Sequence, residues 1–343
     1  MTNYTVDTDG TSGDYASLNA AIAAIDNSAL SDDVTITCYA TDSDDDTTQV
    51  VMDEIDTTTD YRLYIKPGDD NYRLRVDLTT LTAAITFDRQ YGHTYNVTFE
   101  GLNIVSHSHG ASYRGAFYFF NLRDSGELQI LGCTIEDESN TERSAPFHFT
   151  TGGSDPYTHQ VVIVNNFVIT NTSSTSSASS FFRFSYGAPN VALYNNTFVA
   201  ENAAAALYFS SDAAYDANTV WYNNLFENCK DSYNSYEPGT ADYNVFDAAV
   251  DLGGANDQQS QTFTFEDAAN GDYHLDSTDT GAMGNGTDLS SDGTYAFDDD
   301  VDGDTRSDWD CGADEYVSGG GATNTSAWIA MMGTLTPQYT GLH

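Results

Sequence analysis

Hydrophobic positions between residues 95 and 246 fall in short alternating runs, and the runs repeat. Aligned on a Gly or Asn ahead of an apolar residue, the chain reads TFEGLNI at Gly101, QILGCTI at Gly132 and VIVNNFV at Asn165. It continues as ALYNNTF at Asn195, VWYNNLF at Asn223 and a degenerate ADYNVF at Tyr243, at intervals of 31, 33, 30, 28 and 20 residues. Each unit predicts a short strand, a tight turn and a second short strand. Asn tolerates left-handed backbone geometry and stacks on an identical neighbour one coil away. Ile104, Ile135, Val168, Phe198, Phe226 and Phe246 are then expected to stack inside. Helical periodicity is absent from this region, and a β-sandwich would not repeat one motif at this interval. The pattern predicts an all-β solenoid, a parallel β-helix.

Further strands lie between the repeats, at 115–122, 145–152, 180–187 and 205–212, with Phe119, Phe149, Phe184 and Phe209 expected at corresponding places. Aromatic ladders of this kind are read as core, not as platforms for substrate. The polar tract TNTSSTSSASS is read as a loop bulging from one coil. With DVTITCYA, YRLYIKPG, YRLRVDL and AAITFDR opening the ladder, about eight to ten coils are expected, a rod about 40–50 Å long at the spacing of paired strands. The open N-terminal end needs a cover. GDYASLNAAIAAI supplies one, with Leu18, Ile22 and Ile25 on one face of a short helix. The organisation expected is an N-terminal segment with capping helix over 1–33, the β-helix with its closing segment over 34–316, and a Gly linker with an apolar assembly tail over 317–343. After Ala249 the ladder fades, and a looser terminal segment is expected.

Composition changes the picture in one respect. The chain has 343 residues, 52 acidic against 11 basic, a formal net charge of -41. With 40% hydrophobic residues it can still bury a core. Self-repulsion on this scale needs screening, which molar salt provides. With lysine poverty and abundant Asp and Thr, the chain resembles proteins of extreme halophiles; an acidic protein of an ordinary marine host is the alternative. Nucleic acid is excluded as a partner by charge. MTNYTVDTDGTSGDY has neither the basic nor the apolar region of a signal peptide, so export by that route is not expected, and no apolar run predicts membrane insertion. The cysteines at 38, 133, 229 and 311 are far apart; Cys38 and Cys133 sit in apolar runs, which predicts buried free thiols.

The entry helix and two later stretches, DYHLDSTDTGAMGNG (272–286) and DDDVDGDTRSDWDCGADEY (298–316), resemble the right-handed parallel β-helix proteins of the pectate-lyase-like superfamily. The resemblance implies that Asp300, Asp302, Gly303, Arg306, Gly312, Ala313 and Glu315 form the family's usual exit, with Cys311 at a place usually held by an apolar residue. It speaks for fold more than activity, since such ends occur on enzymes, adhesins and virion proteins. Arg306 is expected to pair bidentately with a carboxylate and tie down the terminal loop. Asp298, Asp300, Asp302 and Asp304 alternate around a Gly turn and are the residues a Ca²⁺ or other structural cation would use. The loop is not an EF-hand, whose twelfth-place Glu would fall on Trp309.

Candidate chemistry is sparse. Pectinolytic β-helix enzymes use clustered carboxylates, for which Glu100, Glu136 and Asp137 are the nearest residues, or an Arg or Lys base. Arg114, Arg123, Arg143 and Arg183, beside His107, His109, His148 and His159, are the catalytic candidates of a lyase scheme. Their alternative is ordinary surface ion pairing. The tail beyond the SGGG linker has no acidic residue, and Trp328, Ile329, Met331 and Met332 are costly to leave in water, which suits an assembly tether, the alternative being a tail folded back on the rod. Body, charge and tail together resemble a virion component of a tailed virus of a halophilic host. That reading implies a capsid turret or decoration, or a tail spike or fibre subunit, assembled as a homotrimer with other virion proteins and recognising a host-surface glycan. The alternatives are a polysaccharide lyase or glycoside hydrolase, and a cell-surface adhesin.

Overall fold

The computed structural model describes residues 1–318 apart from 10–12, 26–28, 41–44, 53–54, 59, 70–71, 79–82, 88–93, 108–114, 121–125, 139–144, 151–158, 172–179, 186–189, 203–204, 211–218 and 231–237, and apart from the side chains of 185, 206 and 208–210. The expected tail tether, with Trp328, Ile329, Met331 and Met332, lies outside the described residues, as does most of the serine-rich loop. No helix among the described residues is long and apolar enough to cross a membrane.

The chain forms a parallel β-helix. Three parallel sheets run along it, one of nine strands and two of seven among the described residues. Two of the three sheets have seven strands, so the coils that carry all three strands among the described residues number fewer than the eight to ten expected. In the regular coils the chain passes from first sheet to second to third, as in Tyr95–Glu100, Asn103–His107 and Gly115–Phe120. Thr2–Asp7, ahead of the capping helix, adds the first strand of the first sheet, paired with Val34–Tyr39. The helix Leu18–Ile25 buries Leu18, Ala21, Ile22 and Ile25 on the same core as Val6, Met52 and Ile55. Ser17 starts it, accepting the Ala20 N–H at 3.2 Å, and Asp46 accepts the Leu18 N–H at 2.6 Å.

Inside, apolar residues stack in register as the sequence predicts: Ile104 on Ile135, Val168, Phe198, Phe226 and Phe246 in turn, all fully buried. Phe119, Phe149 and Phe184 form a second stack with ring centroids 4.5 and 5.3 Å apart. Each such pair contributes about 0.5–1.5 kcal/mol beyond burial of its area. Phe209 does not continue that ladder. It pairs with Arg183 while Phe184 pairs with Ser210, one residue out of the expected register. Cys38, Cys133, Cys229 and Cys311 are free thiols and buried.

The turn from first to second sheet explains the repeated Asn pair. Gly101, Gly132, Asn165, Asn195, Asn223 and Tyr243 all take positive φ, between 49° and 64°, the left-handed conformation that turns the chain by a corner. The second residue of the pair points inward. Asn166, Asn196 and Asn224 each donate backbone N–H (3.1 Å) and side-chain Nδ2 (2.9–3.0 Å) to Oδ1 of the asparagine one coil on. Asn244 ends the ladder on Asp257. Their remaining amide hydrogens go to strand carbonyls such as those of Ile163 and Tyr194, so a buried polar column is fully hydrogen-bonded.

The exit segment is not loose. From Phe263 onward it doubles back along the flank, over the turns of earlier coils. A short antiparallel pair, Phe265–Asp267 with Asp272–Leu275, begins it. The first asparagine of each pair then holds it from outside: Asn165 Nδ2 donates to the Asp299 carbonyl at 2.8 Å, Asn195 to that of Asp310 at 2.9 Å, and Asn223 to that of Thr287 at 2.8 Å. Gly312, at φ 105°, passes so close that a Cβ would stand 2.7 Å from Thr197 Oγ1, so only glycine fits.

Candidate functional site

Arg306 shows how the segment is clasped, and corrects the expected bidentate carboxylate pair. The guanidinium is buried and donates to backbone carbonyls of Asp299, Asp310, Gly312 and Ala313 and to Asn165 Oδ1, at 2.7–3.3 Å. Its nearest carboxylate oxygen, Glu315 Oε2, stands 3.6 Å from NH1. Glu315 instead accepts the backbone N–H groups of Ser307, Asp308, Trp309 and Asp310 at 2.7–3.2 Å. Fixed carbonyl and amide dipoles thus disperse both buried charges.

Folded back in this way, residues 295–303 wall a cleft of about 290 Å³ against the turns of earlier coils. Its lining includes Tyr295 and Phe297 on one side and Glu100, Asp299 and Asp302 as acceptors. Both aromatics are partly exposed, with ring centroids 6.2 Å apart, and Phe297 is backed by Trp309 at 5.6 Å. Burial, with the charge of Asp299 next, pushes the Tyr295 hydroxyl up to about 12, so it stays a hydrogen-bond donor at neutral pH. A partly exposed aromatic pair beside several carboxylates offers both a face for stacking and acceptors for hydroxyl groups.

A second polar group occupies the outer face of the second sheet. Arg73 makes a bidentate pair with Asp45 (2.8 and 2.8 Å), and Glu138 Oε2 lies 2.6 Å from Arg75 NH2 and 3.0 Å from His107 Nδ1. Glu136 stands two residues before Glu138, so the two Cα positions are about 6.6 Å apart along the chain. Burial, aided by repulsion from Glu138, pushes the Glu136 carboxyl up to about 7. Glu201 accepts the Tyr273 hydroxyl at 2.9 Å, joining this face to the exit segment.

Next to Tyr273 is the grouping most suited to a metal among the described residues. Ligand atoms of His274, Asp302 and Asp314 all lie within 4.8 Å of one another. His274 Nδ1 is 2.5 Å from Asp272 Oδ1, and its Nε2 is 3.3 Å from Asp302 Oδ2. Burial opposes charge on the ring, but the bonds to Asp272 and Asp302 outweigh it and push the imidazole up to about 10. Burial pushes Asp314 up to about 7.

The aspartates expected to hold a structural cation lie in the exit segment. Asp300 accepts the N–H groups of Asp302 and Asp304 on Oδ1 and of Glu315 on Oδ2. Asp302 turns to His274, and the Asp298 carbonyl accepts the Arg306 N–H. Of the four arginines expected as catalytic candidates, Arg114, Arg123 and Arg143 lie outside the described residues, as does His109. Arg183 is cross-strand from His148, whose imidazole is pushed down to about 3 by burial and then by the arginine's charge. His159 is buried beside Tyr95, and Asp137 is buried against Ser106. Sequence reasoning missed Tyr295, Phe297 and His274. The signal for the first two was GTYAF, an aromatic pair two residues apart just before the acidic run.

No protein-family description matches the chain, and no curated protein matches it. Among solved structures it is similar to the pectin methylesterase from Aspergillus niger in deglycosylated form, with 11% identity and a TM-score of 0.42. The match covers 76% of this chain and 89% of that one. The esterase activity is that protein's.

Proposed function

We propose that the protein is a rigid recognition rod that binds a glycan in the cleft between its exit segment and its turns. The observation that carries this reading is the pairing of Tyr295 and Phe297 with the acceptors Glu100, Asp299 and Asp302 in one cleft. Sugar rings present apolar faces to aromatics and hydroxyl donors to carboxylates. The net charge of -41 selects against polyanions, so the expected ligand is a neutral polysaccharide. In its finer form the reading is a virion surface component, a turret, decoration, spike or fibre subunit, trimeric and tethered by the apolar tail. The charge and the charge-free tail support that form.

A glycoside hydrolase is the second reading, favoured by Glu136 held near its protonated form beside the ion-paired Glu138. One experiment separates the two: neutral polysaccharides incubated with the protein in about 3 M salt, scored for retention on the polymer and for new reducing ends. Retention without cleavage is the expected result. Cleavage lost in Glu136→Gln would establish the hydrolase, and neither retention nor cleavage across the panel would remove both.

A further inference from the structure

We propose that His274, Asp302 and Asp314 form a binding site for one divalent transition-metal ion of the zinc class, which pins the exit segment to the flank of the rod. The three ligands come from separate stretches: the strand Asp272–Leu275, the turn at Gly303 and the Gly-Ala-Asp-Glu closure. Bonds of about 2.1 Å in a tetrahedral site place neighbouring donor atoms about 3.4 Å apart. His274 Nε2 and Asp302 Oδ2 already stand at 3.3 Å, and all three donors fall within 4.8 Å. A small contraction around an ion closes the site, with water in the fourth position. His274 and Asp302 keep 21% and 15% of their side-chain surface exposed, which leaves a path for entry.

The surroundings are those of a ligand set already oriented. Asp272 Oδ1 holds His274 Nδ1 at 2.5 Å, which turns Nε2 toward the two carboxylates, the arrangement that metal-binding histidines use. Asp314 is fixed through Oδ2, which accepts the Leu275 N–H at 2.7 Å. Asp302 is fixed because its own N–H is held by Asp300 Oδ1 at 3.0 Å. The Phe167 ring packs on the imidazole at 5.1 Å and forms an apolar wall. The carboxylates of Asp272, Asp302 and Asp314 surround one imidazole. Imidazole with carboxylates selects zinc-class ions over calcium, which takes six to eight oxygens.

The test uses the full chain stripped with chelator and dialysed against zinc, in high sodium chloride with millimolar calcium to occupy surface acids. One zinc per chain is expected, displaced at least ten-fold more easily in Asp302→Asn and in His274→Gln, with cobalt giving the absorption bands of a four-coordinate site. Zinc should also raise the thermal midpoint of the wild type and not of Asp302→Asn, a readout that does not depend on any activity. Several weak sites unchanged by Asp302→Asn, or calcium displacing zinc equally well, would overturn the proposal.

Discussion

At the turn between first and second sheets, two adjacent asparagines face opposite ways. Asn195 reaches out to the exit segment, and Asn196 reaches in to Asn166 and Asn224. Because each inward amide serves both neighbours, its loss orphans buried groups in three coils. Asn196→Ala should cost about 2–5 kcal/mol, since each unsatisfied buried polar group costs about 1–3 kcal/mol; urea denaturation measures it, and a loss under about 0.5 kcal/mol would contradict a cooperative ladder. Glu136 provides a second test. Its folded pKa, about 7, lies above its ordinary value of 4.5, so the folded state holds the proton more tightly. Its contribution to stability is then full below about 4.5 and lost as pH rises through about 7. Glu136→Gln should flatten the dependence of the thermal midpoint on pH across that window, and an unchanged slope would show that the carboxyl is not shifted.

At the scale of elements, the exit segment matters most, and it was the least legible. The coils could be read from the chain because each needs an apolar column and a left-handed corner, and both leave a period in the sequence. The exit has no period. Three apolar clusters join it to the coils, but many of its polar contacts are side chain to backbone, such as Arg306 on four carbonyls and Glu315 on four amides, and backbone partners leave no trace in residue identity. The Asp-x-Asp-Gly and Gly-Ala-x-Glu stretches marked it as an exit of the family's kind but not what it touches. The cleft escaped notice for the same reason: Tyr295 meets Glu100 only because the segment doubles back over a distant coil. Arg306→Lys keeps the charge and loses the fork. It should destabilise the exit by about 3–5 kcal/mol, with hydrogen exchange quickening at 307–310 while the amides of Asn166, Asn196 and Asn224 stay protected. Equal loss of protection in both places would mean that segment and coils unfold as one unit.

For the whole molecule, the competing terms are a continuous core from Val6 to Leu252 and the mutual repulsion of a chain carrying a net charge of -41. The core does not depend on salt, and the repulsion does. Its range is about 10 Å at 0.1 M and about 3 Å at 1 M, so the thermal midpoint should rise by several degrees between those concentrations, read by calorimetry; a midpoint indifferent to salt would mean that the acids are already neutralised locally. High salt is also where recognition should work, because stacking and hydrogen bonding to a neutral sugar survive screening. The decisive measurement is calorimetric titration of a neutral oligosaccharide, taken from the polysaccharide the protein retains, in about 3 M salt, against wild type, Tyr295→Ala and Glu100→Gln. One site per chain, weakened roughly ten-fold or more by Tyr295→Ala, about 1.4 kcal/mol, and to a lesser degree by Glu100→Gln, is the predicted result. Binding untouched by both substitutions would place recognition elsewhere on the rod and contradict the cleft as its site.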